Sequence, residues 1–178
     1  HVTGPQWPAS FAKTPPERLW RVELGPSYSG PVTWSNLVFT TETLGKAIEV
    51  VQAFDRTTGT MIWRTEWAGA ISVPFFAKSN GDWIRATPAC DGESLFVAGM
   101  RDVLVCLEAA TGQERWVAET GDEWMRALAF SPDGTVLAAG TGTGADSAIR
   151  LWDAATGREL GRLEGHRSQI GGLVFWPD

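Results

Sequence analysis

The stretch Asp55–Gly59 reads Asp-Arg-Thr-Thr-Gly, and the chain writes it again as Glu-Ala-Ala-Thr-Gly at Glu108–Gly112 and as Asp-Ala-Ala-Thr-Gly at Asp153–Gly157. The Thr-Gly pairs lie 53 and 45 residues apart. Each is preceded by a strand-like run, IEVVQAF from Ile48, VLVCLE from Val103 and AIRLWD from Ala148. Each is followed by a second short run: TMIWRTEW, QERWVAE and RELGRLE. An acidic side chain and a threonine can hydrogen-bond turn amides, and glycine takes the left-handed backbone that closes the loop. The phrase therefore reads as a hairpin turn used three times, with no chemistry of its own.

A repeat of about 40–50 residues built from four short strands is the period of a β-propeller blade. Laid on the sequence, blade one covers Pro31–Ser35, Leu37–Glu42, Ile48–Asp55 and Thr60–Trp67. Blade two covers Trp83–Cys90, Ser94–Gly99, Val103–Glu108 and Gln113–Glu119, and blade three covers Arg126–Phe130, Val136–Gly140, Ala148–Asp153 and Arg158–Glu164. One further strand is expected at each end, LWRVEL from Leu19 and GGLVFW from Gly172. No helix of useful length is expected. The fold class is all-β: four-stranded antiparallel blades, about three of them complete, with a flanking strand at each end.

The residues around the turns carry two family resemblances. Ala53, Asp55, Thr58, Gly59 and Trp63 resemble the tryptophan-docking repeat of pyrroloquinoline-quinone-type (PQQ-like) propellers, Ala-x-Asp-x-x-Thr-Gly-x-x-x-Trp. Blade two keeps Thr111, Gly112 and Trp116 but has Cys106 and Glu108 for the usual Ala and Asp. After about residue 121 the chain resembles WD-repeat blades, with FSPDG at Phe130–Gly134, Trp152-Asp153 and a Gly165-His166 that reads as the start of a next repeat. That resemblance implies a structural network to which Thr141, Asp146 and Trp152 would belong. Its histidine position falls on Gly121 in blade three, so the network is expected to be incomplete there. The implied organisation is an N-terminal extension over 1–18, PQQ-like blades over 19–121 and WD-like blades over 122–178, continuous in one propeller.

Composition narrows the function. With 15 Lys and Arg against 21 Asp and Glu the net charge is −6, which argues against a protein that tracks nucleic-acid phosphates or an anionic membrane surface. No run of about 18 apolar residues is available to span a bilayer. Two cysteines, Cys90 and Cys106, make neither a disulfide framework nor a zinc site, and they fall on the first and third strands of one blade, about 9–10 Å apart. They are expected to be free, inert thiols. His1 and His166 cannot form a metal cluster alone, so no metal and no cofactor is expected. His1 in place of an initiator methionine reads as a processed, truncated or engineered chain. Bacterial cytoplasm and periplasm both remain open as its compartment.

In a propeller the turns between second and third strands share a face with the blade-to-blade connections. That places Lys78, Asn80, Asp82, Trp83, Arg85, Arg101 and Asp102 near the mouth of the central channel, as candidate ligand-binding residues. The connection supplying most of them also lengthens the first repeat, and long loops in compact domains often carry function. The plainer alternative is that Asp82, Arg85, Arg101 and Asp102 pair among themselves and that Trp83 packs. GTGTG at Gly140–Gly144 lacks the Lys-Ser/Thr of a phosphate loop.

The expected function is a non-catalytic scaffold that binds a protein or peptide through its loop face. A fragment of a PQQ-dependent dehydrogenase stands as one alternative, and a hybrid or engineered half-propeller without a selected ligand as another. Three blades do not close a ring. Self-association into a closed ring, or completion by blades from a longer chain, is therefore expected as well.

Overall fold

The structure, a computed structural model, describes residues 16–45, 47–69, 83–100, 103–119, 125, 127–141 and 147–176. These form three four-stranded antiparallel sheets, each a simple up-and-down meander. The first contains β1 (Val32–Trp34), β2 (Leu37–Leu44), β3 (Ile48–Asp55) and β4 (Met61–Ala68). The second contains β5 (Ala89–Cys90), β6 (Ser94–Ala98), β7 (Val103–Glu108) and β8 (Glu114–Glu119). The third contains β9 (Ala127–Phe130), β10 (Val136–Gly140), β11 (Ser147–Asp153) and β12 (Glu159–His166). Strand β5 touches both β1 and β9, so the inner strands of the three sheets adjoin, as propeller blades do.

The repeated turn is built as its chemistry requires. Asp55 Oδ1 accepts from the amides of Thr57 and Thr58, both at 2.8 Å, and from the Thr58 hydroxyl at 3.1 Å. The Gly59 amide closes on the Asp55 carbonyl at 2.8 Å with φ +73°. Asp153 repeats this with the Thr156 amide at 2.9 Å and its hydroxyl at 2.8 Å. These bonds hold both carboxyls below the usual range: the Thr58 amide leads at Asp55 and the Thr156 hydroxyl at Asp153. In blade two the longer Glu108 takes the Thr111 hydroxyl and lies 3.7 Å from Arg115. A register shift follows at the same place in every blade: Ala53/Phe54, Cys106/Leu107 and Leu151/Trp152. This bulge re-aims the outer strand beside the left-handed glycine.

Two apolar layers join the blades. Phe39, Val51, Ala53 and Trp63 of blade one pack on Leu95, Val97, Val105 and Leu107 of blade two. The other face of blade two, Phe96, Ala98, Leu104 and Cys106, packs on Leu137, Ala139 and Trp152 of blade three. Middle strands are thus apolar on both faces, which explains why their sequences do not alternate.

Tryptophans dock across these layers. Trp63 Nε1 donates to the Ala109 carbonyl at 3.0 Å, and its indole lies over Gly112, where an added Cβ would sit 2.5 Å from the ring. Trp116 does the same to Ala154 at 3.2 Å and Gly157, and Trp20 to Arg56 at 2.8 Å and Gly59. The turn glycine therefore serves twice, as the left-handed residue and as the bare floor beneath the preceding tryptophan. Blade three has Gly161 at the docking position, with open space around it.

Four expectations are corrected. Residues 19–24 are extended, with Trp20 and Val22 turned inward, but among the described residues they have no strand to ladder with and are not a strand. The same holds for 172–176, where Leu173 and Phe175 turn inward beyond Ile170, which covers Gly140. The inner strand of blade two is only Ala89–Cys90, because Pro88 has no amide to give a ladder. His166 does not open a next repeat: it ends β12, opposite Ser147, after a register shift that lets the outer strand run on.

Candidate functional site

The loop-side corner between blades one and two gathers the most side-chain chemistry among the described residues. Of the expected site residues, Trp83 and Arg85 lie here, on the same side of one extended segment. Tyr28 sits between them, its ring 5.2 Å from the Trp83 ring and 5.3 Å from the Arg85 guanidinium carbon. Tyr28 is half exposed and held by its backbone, which donates to the Ile84 carbonyl at 2.9 Å. Ile84, between Trp83 and Arg85, is fully buried in the first apolar layer. Alternation about that anchor sends both flanking side chains to the opposite face. Lys78, Asn80, Asp82, Arg101 and Asp102 lie outside the described residues.

Beneath this patch is a buried carboxylate that the sequence reading passed over. Glu49 sits near the start of β3, fully buried, and accepts the Met100 amide at 2.7 Å and the Trp67 indole N–H at 2.9 Å. It ties the end of β6 to blade one. Gly69 and Gly99 leave room for it, since a Cβ on either would fall 2.4 Å from its Oε2. Burial pushes its carboxyl up to about 7, against the lowering effect of the two donors. Next to it, the Thr43 hydroxyl accepts the Ile84 amide at 2.9 Å. Glu42 on β2 points the other way and accepts the Gly25 amide.

Two signals could have found these residues. A glutamate inside the apolar run Ile48–Phe54 is costly unless it has a fixed partner. The run Trp83-Ile84-Arg85-Ala86 also recurs as Trp124-Met125-Arg126-Ala127. Met125 is buried in the second apolar layer as Ile84 is in the first.

The residues expected to be structural are placed as follows. Asp55, Thr58, Gly59, Trp63, Thr111, Gly112, Trp116, Asp153 and Gly157 form the turns and docking contacts described above. The Thr141 hydroxyl donates to the Ala148 carbonyl at 3.1 Å, and Trp152 is buried with the Arg150 guanidinium 5.2 Å from its ring. Asp146 lies outside the described residues. His166 is exposed at the end of β12. Both cysteines are free, and burial pushes the Cys106 thiol up to about 11. Among the described residues no group of three or more His, Cys, Asp or Glu is placed to hold a metal ion, and no helix is long and apolar enough to cross a membrane.

Comparison with known proteins agrees with the propeller fold. The chain is 26% identical over 104 residues to the outer membrane protein assembly factor BamB of Shewanella oneidensis, covering 56% of this chain and 26% of that protein. It is 47% identical over 51 residues to the probable serine/threonine-protein kinase PkwA of Thermomonospora curvata, covering 29% of this chain and 6% of that one. Distant WD-repeat homologues therefore match alongside the PQQ-like repeats. The chain spans about a quarter or less of these curated relatives. Among solved structures, the computationally designed Ika4 protein superposes with a TM-score of 0.63 at 19% identity, over 91% of this chain and 88% of that one. The family model described as outer membrane protein assembly factor BamB matches residues 47–171, from β3 past the end of β12, and the chain belongs to that family of PQQ-like propeller repeats.

Proposed function

We propose that the chain is a non-catalytic propeller scaffold that binds a protein or peptide at its loop face, at the corner where blades one and two meet. The observation that carries this reading is the half-exposed Tyr28, flanked by Trp83 and Arg85 and fixed by a backbone bond to a buried anchor. Aromatic and arginine side chains on a rigid support are the groups that dominate peptide recognition. Glu49 supports the corner from below by fastening the end of β6. In this reading the protein works in the bacterial envelope, which the family match supports. Further blades, from a second copy or a longer chain, complete the ring in this reading.

Peptides selected from a displayed library on the immobilised chain test the assignment. Binding measured by calorimetry is expected to weaken about tenfold in Tyr28→Ala and in Arg85→Ala, since each removes a central contact. Binders that ignore both substitutions would remove the corner from consideration. Dye reduction with an alcohol, seen only after adding the quinone and Ca²⁺, would favour the dehydrogenase alternative instead.

A further inference from the structure

The hairpins between first and second strands, at the end of the blades opposite the loop face, follow one pattern at the first interface and break it at the second. Blades one and two close these hairpins with the two-residue turns Ser35-Asn36 and Gly92-Glu93, whose first residues are left-handed at φ 51° and 108°. Trp34 ends β1 opposite Leu37, the first residue of β2. In blade two the Asp91 amide bonds the Ser94 carbonyl at 3.2 Å, so Asp91 holds the place that Trp34 holds in blade one. Ser131 holds it in blade three, where its amide bonds the Val136 carbonyl at 2.9 Å across a longer turn.

Trp34 uses its place to reach the next blade. Its indole lies over Gly92, where an added Cβ would fall 2.5 Å from the ring. Asp91 is too short to do the same, and its Oδ1 turns back to accept the amides of Glu93 at 2.8 Å and Ser94 at 2.7 Å. The turn that faces it carries Gly134, left-handed at φ +72°, with nothing within 4 Å of an added Cβ. Between the two hairpins lies a cleft of about 470 Å³. Cys90, Asp91 and Glu93 form one wall, and Phe130 through Gly134 form the other. The Phe130 ring is fixed edge-on against Phe96, with centroids 4.5 Å apart. Asp133 Oδ1 accepts the Ser131 hydroxyl and the Thr135 amide and hydroxyl, and these bonds, the Ser131 hydroxyl first, hold its carboxyl below the usual range. Both walls belong to complete four-stranded blades. Three carboxylates alone would be an ordinary solvated face. What sets this one apart is the unfilled place between them, which the neighbouring interface fills with a flat ring.

We propose that this cleft is a recognition site for an arginine side chain of a protein or peptide partner. The guanidinium lies flat over the Gly134 turn, as the Trp34 indole lies over Gly92, and its N–H groups meet the carboxylates of Asp91, Glu93 and Asp133. Arginine is the side chain that combines the plane of the ring at the first interface with the positive charge that the walls of the second call for. Its fork of donors also suits carboxylates better than the point charge of lysine does. Arg115, a cation tied to the same blade through the Ser94 hydroxyl at 2.8 Å, lies 3.7 Å from Glu108 and is part of neither wall. The net charge of −6 favours the approach of a basic partner. This site lies at the turn end of the blades and does not depend on the loop-face reading.

The probe is the capped peptide acetyl-Gly-Arg-Gly-amide, titrated into the full chain by calorimetry at low salt. Saturable binding with a Kd of about 1 mM or tighter is expected. The citrulline peptide keeps the plane without the charge, and the lysine peptide keeps the charge without the plane. Each is expected to bind about fivefold or more weakly than the arginine peptide. Glu93→Gln, at an exposed position that leaves the fold intact, is expected to weaken the arginine peptide about threefold. Asp91→Trp, which puts an indole at the place of Trp34, is expected to abolish binding while circular dichroism stays unchanged. Cys90 on the wall reports the location: saturating peptide is expected to slow its alkylation by iodoacetamide several-fold, with the fully buried Cys106 as the unreactive reference. Equal binding of the arginine and lysine peptides would mean diffuse attraction to an acidic surface and overturns the proposal. So does the absence of saturation, binding that ignores Glu93→Gln, or alkylation of Cys90 at the same rate with and without peptide.

Discussion

At the scale of single residues, Glu49 and the turn glycines make opposite kinds of demand on their surroundings. Glu49 is a charge the fold would rather have protonated. Its folded value near 7 lies above the ordinary 4.5, so the folded chain binds the proton more tightly than the unfolded chain. The resulting stabilisation is fully present below pH 4.5 and is lost as pH rises through 7. A shift of this size corresponds to about 3 kcal/mol. Urea unfolding is expected to show stability falling by roughly 2–3 kcal/mol between pH 5 and 8, with the slope abolished in Glu49→Gln. An unchanged slope in the variant would exclude Glu49 as its source. The glycines demand space and a left-handed backbone together, and two of them separate these terms. Gly112 and Gly134 share φ +72°, but only Gly112 lies under an indole. Gly134→Ala is expected to cost about 1 kcal/mol for the backbone alone. Gly112→Ala adds the displaced Trp63 ring, for a total of about 3 kcal/mol. Equal shifts in the urea midpoint would mean that the dock does not depend on the bare glycine.

At the scale of elements, the docking tryptophan is what converts a hairpin into a blade of a stack. Trp63 is 8% exposed, whereas Trp20 and Trp116 are half-buried. Trp63→Ala is expected to cost about 4 kcal/mol, as for a large side chain removed from a core, and Trp20→Ala less than half as much. Chemical denaturation of the two variants orders them, and the reverse order would contradict the role given to the first apolar layer. This scale also marks where the sequence stops being readable. The turn at Asp55–Gly59 was legible because its rules are local: an acid, a hydroxyl and a left-handed glycine within five residues. Strands β3, β7 and β11 were legible because the mostly apolar runs before each turn need cover on both faces. The ends at 19–24 and 172–176 misled, because a strand is defined by its neighbour and a sequence does not say where its neighbour is. The same reason hid Glu49, whose meaning lies in an amide 51 residues away. Trp83 and Arg85 could be named from the sequence, but Tyr28, which lies between them, sits on a segment with no repeat signal.

At the scale of the whole molecule, stability should be graded along the stack, because blade two is the one blade packed on both faces within the described chain. All five residues of β6 are buried, as are the middle four of β7, and they contribute to both apolar layers. Strand β12 is exposed along nearly its whole length and carries no docking tryptophan. Local opening follows buried contacts, so the outer elements should fray without disturbing the centre. Hydrogen exchange followed by mass spectrometry is therefore expected to rank the strands, with β6 and β7 opening only by global unfolding, β2 and β3 next, and β12 exchanging fastest. Trp63→Ala should erase the difference between β2–β3 and β12 while leaving β6–β7 the slowest, since blade two keeps its second layer against blade three. Uniform protection across all three blades would show instead that the sheets open as one unit, and that the two apolar layers act as a single core.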